Sequence, residues 1–120
     1  MAVRAIRGAT HLTADDPDVM REAVVELLSA MLERNGLDST ALISILFTAT
    51  PDLVSTFPAT AARALQLGDV PLMCAQELGV ADAMPRVVRV MAHVECDLPR
   101  ADVAHVYLRG AEALRSDLAQ

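Results

Sequence analysis

The run Val87-Val88-Arg89-Val90-Met91-Ala92-His93-Val94-Glu95-Cys96 decides the fold. Val88, Val90, Ala92 and Val94 alternate with Arg89, Met91, His93 and Glu95. Strict alternation of this kind predicts a half-buried strand, because successive side chains leave a strand on opposite faces. One face is uniformly apolar; the other carries the polar groups.

Other segments fall into place around this strand. Residues from about Ala2 to Leu12 predict a first strand, with Val3, Ala5, Arg7 and Ala9 on one face and Arg4, Ile6, Gly8 and Thr10 on the other. Gly8 predicts a bulge or a close approach to the backbone. Thr13-Ala14-Asp15-Asp16-Pro17 predicts a helix start, since an Asp before Pro caps free N–H groups and Pro suits the first helical position. Val19, Ala23, Leu27, Ala30 and Met31 then recur at helical spacing, widened by Val24 and Leu28, until Asn35-Gly36.

Leu42 to Thr48 predicts a largely buried strand. A loop, Asp52 to Phe57, follows between Pro51 and Pro58. The run from Pro58 to Leu65 predicts a short helix, and Val70 to Gln76 a third strand. Gly79 to Pro85 is a loop. Ala104 to Leu108 predicts a short last strand, with one helical turn at Ala111 to Leu114. The order is β-α-β-α-β-β-β. It predicts the α+β class, with residues 1–120 forming a single domain built on a mixed sheet with helices packed against it.

Composition narrows the function. The 120 residues are 53% hydrophobic, yet only Phe47, Phe57 and Tyr107 are aromatic, so the core must be aliphatic. The net charge is -6, and all ten basic residues are Arg. Nucleic-acid binders show a basic excess, with aromatic platforms where single strands bind; neither is present. No run of about eighteen apolar residues offers a membrane span, and the N-terminus has no signal-like apolar region, which points to the cytoplasm. Cys74 and Cys96 form neither a disulfide framework nor a CxxC pair and read as free thiols. The apolar surplus leaves two readings open: compositional richness in Ala and Val, or a face covered by another subunit.

The catalytic inventory is thin. There is no G-x-S-x-G elbow, P-loop, dinucleotide fingerprint or H-E-x-x-H. His11, His93 and His105 are scattered, and Asp15, Asp16 and Asp18 read as capping acids rather than a metal site. The Arg positions are more informative. Arg7 and Arg89 each sit within a predicted strand, where a guanidinium needs a partner, water or an anion. They mark either a solvated sheet face or a cleft whose guanidinium groups bind carboxylates through paired hydrogen bonds, with Arg63 and Arg115 able to join.

A resemblance bears on that choice. Ile6-Arg7-Gly8-Ala9-Thr10, Thr48-Ala49-Thr50-Pro51-Asp52-Leu53, Phe57-Pro58-Ala59, Val70-Pro71, Cys74-Ala75-Gln76-Glu77, Arg89-Val90-Met91 and His105-Val106-Tyr107-Leu108 carry it. In this order, from about Val3 to Leu118, they resemble the monofunctional AroH-class chorismate mutases. The resemblance implies a homotrimeric pseudo α/β-barrel with active sites in clefts between subunits. It implies rearrangement of chorismate to prephenate, with no metal and no organic cofactor. It further implies that Arg89 reaches the ether oxygen and one carboxylate, and that Arg7 binds a carboxylate. Tyr107 would donate to a carboxylate, and Glu77, with Cys74 beside it, would accept from the ring hydroxyl. Met73, Ala75 and Gln76 would line one wall. Phe57, Ala59, Arg63, Leu114 and Arg115 would form the lip, some from the adjacent subunit.

The chain departs from that family in places. Thr60 stands where Lys is common, Gln66 to Asp69 looks shortened, Pro85 replaces a more flexible residue, and the tail after Leu118 is short. The rival expectation is a non-catalytic trimer that binds a small carboxylate metabolite between subunits. A more distant one is a deaminase or detoxifying enzyme on a similar trimeric fold.

Overall fold

The structure is a computed structural model and describes residues 2–115. Five strands form one mixed sheet: β1 (Val3–His11), β2 (Leu42–Ala49), β3 (Leu72–Gln76), β4 (Val87–Glu95) and β5 (Val106–Leu108), in the order β3-β2-β4-β1-β5. The deciding run is the middle strand. β4 pairs antiparallel with β1 over its whole length, from Val3 opposite Glu95 to His11 opposite Val87. On its other edge it pairs antiparallel with β2. β3 joins β2, and β5 joins β1, in parallel. The helices are α1 (Pro17–Glu33) and α2 (Pro58–Ala62). Short 3-10 turns lie at Ser39–Ala41, Arg63–Leu65, Arg100–Asp102 and Ala111–Arg115. The element order and the α+β class agree with the sequence reading.

Both helices cover the same face of the sheet. α1 starts as expected: Asp16 accepts from the N–H groups of Asp18 and Val19 at 2.8 and 3.2 Å, with Pro17 at the first position. Its buried stripe is Met20, Ala23, Val24, Leu27, Leu28 and Met31. The predicted stripe is therefore rotated slightly, with Met20 inside and Val19 and Ala30 on the flanks. Against it pack Ile6, Ile45, Phe47, Val88, Val90, Ala92 and Val94.

Gly8 is a close approach rather than a bulge. A Cβ there would lie 2.5 Å from Met31 Sδ and 3.1 Å from Leu27 Cδ1, so the absence of a side chain lets the helix seat on β1.

The end of α1 does more than stop. The Leu37 N–H returns to the Leu32 carbonyl at 2.9 Å, with Gly36 at φ +67° making the left-handed turn. Buried Asn35 donates to the Met31 and Ala104 carbonyls at 2.7 and 3.0 Å and accepts the Ala104 N–H at 2.8 Å. One side chain thus ties the helix to the segment entering β5.

β2 is less buried than its composition suggests. Ile45 and Phe47 point into the core, but Ile43 and Leu46 are 39% and 38% exposed. The register with β4 is irregular between Leu42 and Ser44, and the alternate residues belong to the sheet's open face. The expectation of a largely buried strand holds for one face only. No helix among the described residues is long and apolar enough to cross a membrane.

Candidate active site

Register builds the site on the open face. Arg89 lies opposite Ala9 on one side and Thr48 on the other; Arg7 lies opposite Met91; Tyr107 lies beside Ala9. These residues share one face because cross-strand partners point the same way. A cavity of about 260 Å³ opens there, lined by Arg7, Gly8, Leu46, Thr48, Arg89, Val90, Met91, Tyr107 and Arg115. Its floor is aliphatic and its walls carry three guanidinium groups. The last turn closes one edge, where Leu114 packs with Ala9, Tyr107 and Ala111.

Glu77 completes this group. Its N–H donates to the Ala49 carbonyl at 2.9 Å, which holds the residue just past the end of β3. Its carboxylate accepts from Arg89 Nε at 2.6 Å and from the Thr48 hydroxyl at 3.3 Å. The Glu77 side chain is 19% exposed and that of Arg89 41%, so the pair is anchored at its acid and open to water at its base. A charge-assisted bond at Nε fixes the guanidinium plane and leaves the terminal nitrogens as donors. Glu77 is thus held by partners rather than solvated, the usual fate of a Glu at a strand end.

Arg7 is fixed through its main chain. Its N–H donates to Nδ1 of His105 at 2.9 Å. Burial, then the charges of Arg7 and Arg115, push the His105 imidazole below its ordinary pKa. Burial is the larger cause, and the two guanidinium charges add to it.

A second set of predicted residues gathers elsewhere. Cys74 pairs in register with Phe47, not with Thr48, and so lies on the covered side of β3. With Phe57, Ala75, Gln76 and the loop from Thr50 onward it lines a cavity of about 450 Å³. Phe57 is 68% exposed at its rim. Asp15 organises this loop by accepting the Val54 N–H at 3.1 Å and the Ser55 N–H at 3.1 Å. Those contacts, the Val54 amide first, hold its carboxyl below the usual carboxylate range. Thr50 supports the same loop, donating to Asp52 at 2.5 Å and accepting the Val87 N–H at 3.0 Å.

One chain does not unite all the predicted residues. Arg7, Glu77, Arg89, Tyr107, Leu114 and Arg115 come together. Cys74, Phe57, Ala75 and Gln76 form the second set. Met73, 67% exposed, stands beside Leu46 in register. Ala59 packs on the core from α2, and Arg63 lines a separate cavity of about 390 Å³ with Gln66, Leu67 and Gly68. Within one chain Arg63 therefore does not join the other arginines, because the 3-10 turn that carries it follows α2 over the opposite face.

The sequence pattern of the chorismate mutase type I family matches residues 3–118. The chain belongs to that family. It is 48% identical to the chorismate mutase AroH of Thermus thermophilus over 117 residues, covering 97% of this chain and 96% of that one. To the chorismate mutase AroH of Bacillus subtilis it is 37% identical over 119 residues, 98% of this chain and 94% of the other. Its fold matches that of a chorismate mutase from Clostridium thermocellum with a TM-score of 0.88 at 42% identity, covering 91% of this chain and 97% of that one.

Three residues that support this arrangement were not singled out from the sequence. Thr48 supports Glu77, His105 holds the Arg7 main chain, and Asp15 shapes the Phe57 loop. Thr48 and His105 lie inside quoted motifs, but only the strand register reveals what they touch.

Proposed function

We propose that this chain, acting as one catalytic domain, rearranges chorismate to prephenate in clefts completed by a neighbouring copy of itself. Family membership and the Arg89–Glu77 pair beside Arg7 and Tyr107 support this reading, the pair being the observation that carries it. The rearrangement is intramolecular and concerted. A carbon–oxygen bond breaks as a carbon–carbon bond forms. It needs no base, nucleophile, metal or organic cofactor, only a held conformer and stabilised charge.

Arg89 supplies the main electrostatic effect. Its plane is set by Glu77 at Nε, and its terminal nitrogens serve the ether oxygen and one carboxylate. Preorganised donors of this kind act without reorganising when charge develops. Arg7 and Arg115 neutralise the substrate's carboxylates from neighbouring positions, and Tyr107 donates to one of them. Glu77 accepts from the ring hydroxyl. Leu46 and Met91 give the ring an apolar floor.

The second set of residues supports a shared site. Phe57, Cys74 and Arg63 lie away from the cationic cleft of their own chain, so a cleft that uses them takes them from another copy. We assign the assembly as a homotrimeric pseudo-barrel with its sites at the seams. Chorismate and prephenate are its ligands, nucleic acid is not, and the reaction belongs in the cytoplasm.

The test is direct. Chorismate absorbance should fall on adding the protein, with prephenate as product and kcat flat around neutrality, since no proton moves in the step. A bell-shaped profile centred near neutrality would point to general acid–base chemistry. Chorismate bound without turnover would point to the metabolite-binding trimer. Sedimentation should give the mass of a trimer of 12.8 kDa chains.

A further inference from the structure

The parallel ladder between β1 and β5 is short, covering only Gly8–Val106, Ala9–Tyr107 and Thr10–Leu108. A strand N–H that loses its ladder partner needs another acceptor. At Arg7, just before the ladder begins, the acceptor is a side chain: the Arg7 N–H donates to His105 Nδ1 at 2.9 Å. An imidazole nitrogen accepts only through its lone pair, so this ring is neutral with its proton on Nε2. The ring's own footing is fixed from the helix side, because Asn35 grips both the N–H and the carbonyl of Ala104 next to it.

Its surroundings oppose a second proton. The cavity that His105 shares holds Arg4 and Arg7 from β1, His93 from β4 and Arg100 from a 3-10 turn. Arg115, from the last turn, also acts on the ring. Among the described residues, no Asp or Glu lines that cavity. Protonation would remove the acceptor and add a positive charge among cations.

We propose that His105 is a positioning residue for Arg7: its neutral ring holds the Arg7 main chain beside β5, and a proton on Nδ1 releases it. The proposal rests on the chorismate reading, in which Arg7 clamps a carboxylate. It assigns the site an acid limit that the chemistry itself does not require. The working form is the neutral ring, present above the imidazole pKa and lost as pH falls through it. Burial and the nearby arginines lower that pKa, so the limb lies below the ordinary histidine range and leaves neutrality flat.

Two variants separate the acceptor from the titration. His105→Leu fills space without accepting; His105→Asn places an amide oxygen near Nδ1 and does not titrate. His105→Leu should lower kcat/KM for chorismate about tenfold, the scale of one orphaned, partly buried N–H. His105→Asn should recover most of that loss and remove the acid limb. Wild-type kcat/KM in His105→Leu, or the same acid limb in His105→Asn as in wild type, overturns the proposal. Should His105→Leu fail to fold, the His105→Asn pH profile decides alone. Should the wild type not act on chorismate, the functional reading falls, and nitrogen-15 spectra of the ring still test the tether. They should show Nδ1 unprotonated at neutral pH, and a proton there overturns it.

Discussion

On the covered face of the sheet, Ile6, Ile45, Phe47, Val88, Val90, Ala92 and Val94 meet the helices. On the open face of the same strands, Arg7, Thr48 and Arg89 stand among Leu46 and Met91. The backbone alternation is identical on both. What differs is the solvent each face keeps. The covered side chains leave water completely and hold the fold through close packing. The open-face guanidinium of Arg89 keeps part of its hydration, so it retains its charge at modest cost and can exchange water for a ligand carboxylate. Stability and activity should therefore respond to different faces of one strand.

The largest expected effect tests the covered face. Phe47 is fully buried between β4 and β3. Phe47→Ala should cost about 3–5 kcal/mol of unfolding free energy, the transfer cost of the ring plus the cavity it leaves. Urea unfolding measures it, and a loss under about 1 kcal/mol would mean the core does not depend on this packing.

Arg89→Lys tests the other face. It keeps the charge but loses the planar fork that Glu77 orients. We expect kcat to fall about a hundredfold or more with little change in melting temperature, the scale of losing one preorganised donor. A near-wild-type rate would remove Arg89 from its assigned role. A large drop in stability would show instead that the two faces are not separable.

Gly8 is where the faces meet, since it lines the cationic cleft while Met31 and Leu27 press on its other side. Gly8→Val should cost about 1–3 kcal/mol by overpacking, measured by thermal unfolding. Met31 is the sulfur-bearing, flexible neighbour, so Gly8→Val combined with Met31→Ala should regain part of that loss. No recovery would place the strain elsewhere on β1.

This division explains what the sequence made legible. β4 could be read from its alternation alone, because one apolar face and one polar face leave a single solution. Gly8 inside a strand could be read only as a bulge or a close approach, and the seating of Met31 and Leu27 against it decides for the second. Met20 was harder: α1 buries it in the first turn, and a shift of one position changes a helix stripe only slightly. The irregular pairing at Leu42 and Ser44, which turns Ile43 outward, left no mark in a run that is apolar throughout. The site was legible by motif but not by placement. Cys74 and Glu77 are three residues apart, yet Cys74 faces the covered side, where Phe47 is its partner, while Glu77 reaches Arg89. Arg63 reads as a fourth cleft arginine in the sequence, but its 3-10 turn follows α2 over the opposite face. Such relations depend on strand order and register, which link residues far apart in the chain. The short tail after Leu118 lies outside the described residues.

The smallest effect carries the opposite sign. Thr10 sits on the covered face, fully buried, between Val88 and Leu108 in register. Its hydroxyl has no hydrogen-bond partner among the described residues. A buried hydroxyl without a partner loses its hydration and gains nothing in exchange. Thr10→Val keeps the shape and the β-branch that suits a strand while removing that cost, and should raise stability by about 1 kcal/mol. Unfolding in urea, with kcat followed in parallel, distinguishes the outcomes. A gain in stability at constant kcat fits a face that contributes packing alone. A loss would mean that the Thr10 hydroxyl finds a partner in the assembled protein, and that polar groups on the covered side also bear on how copies meet.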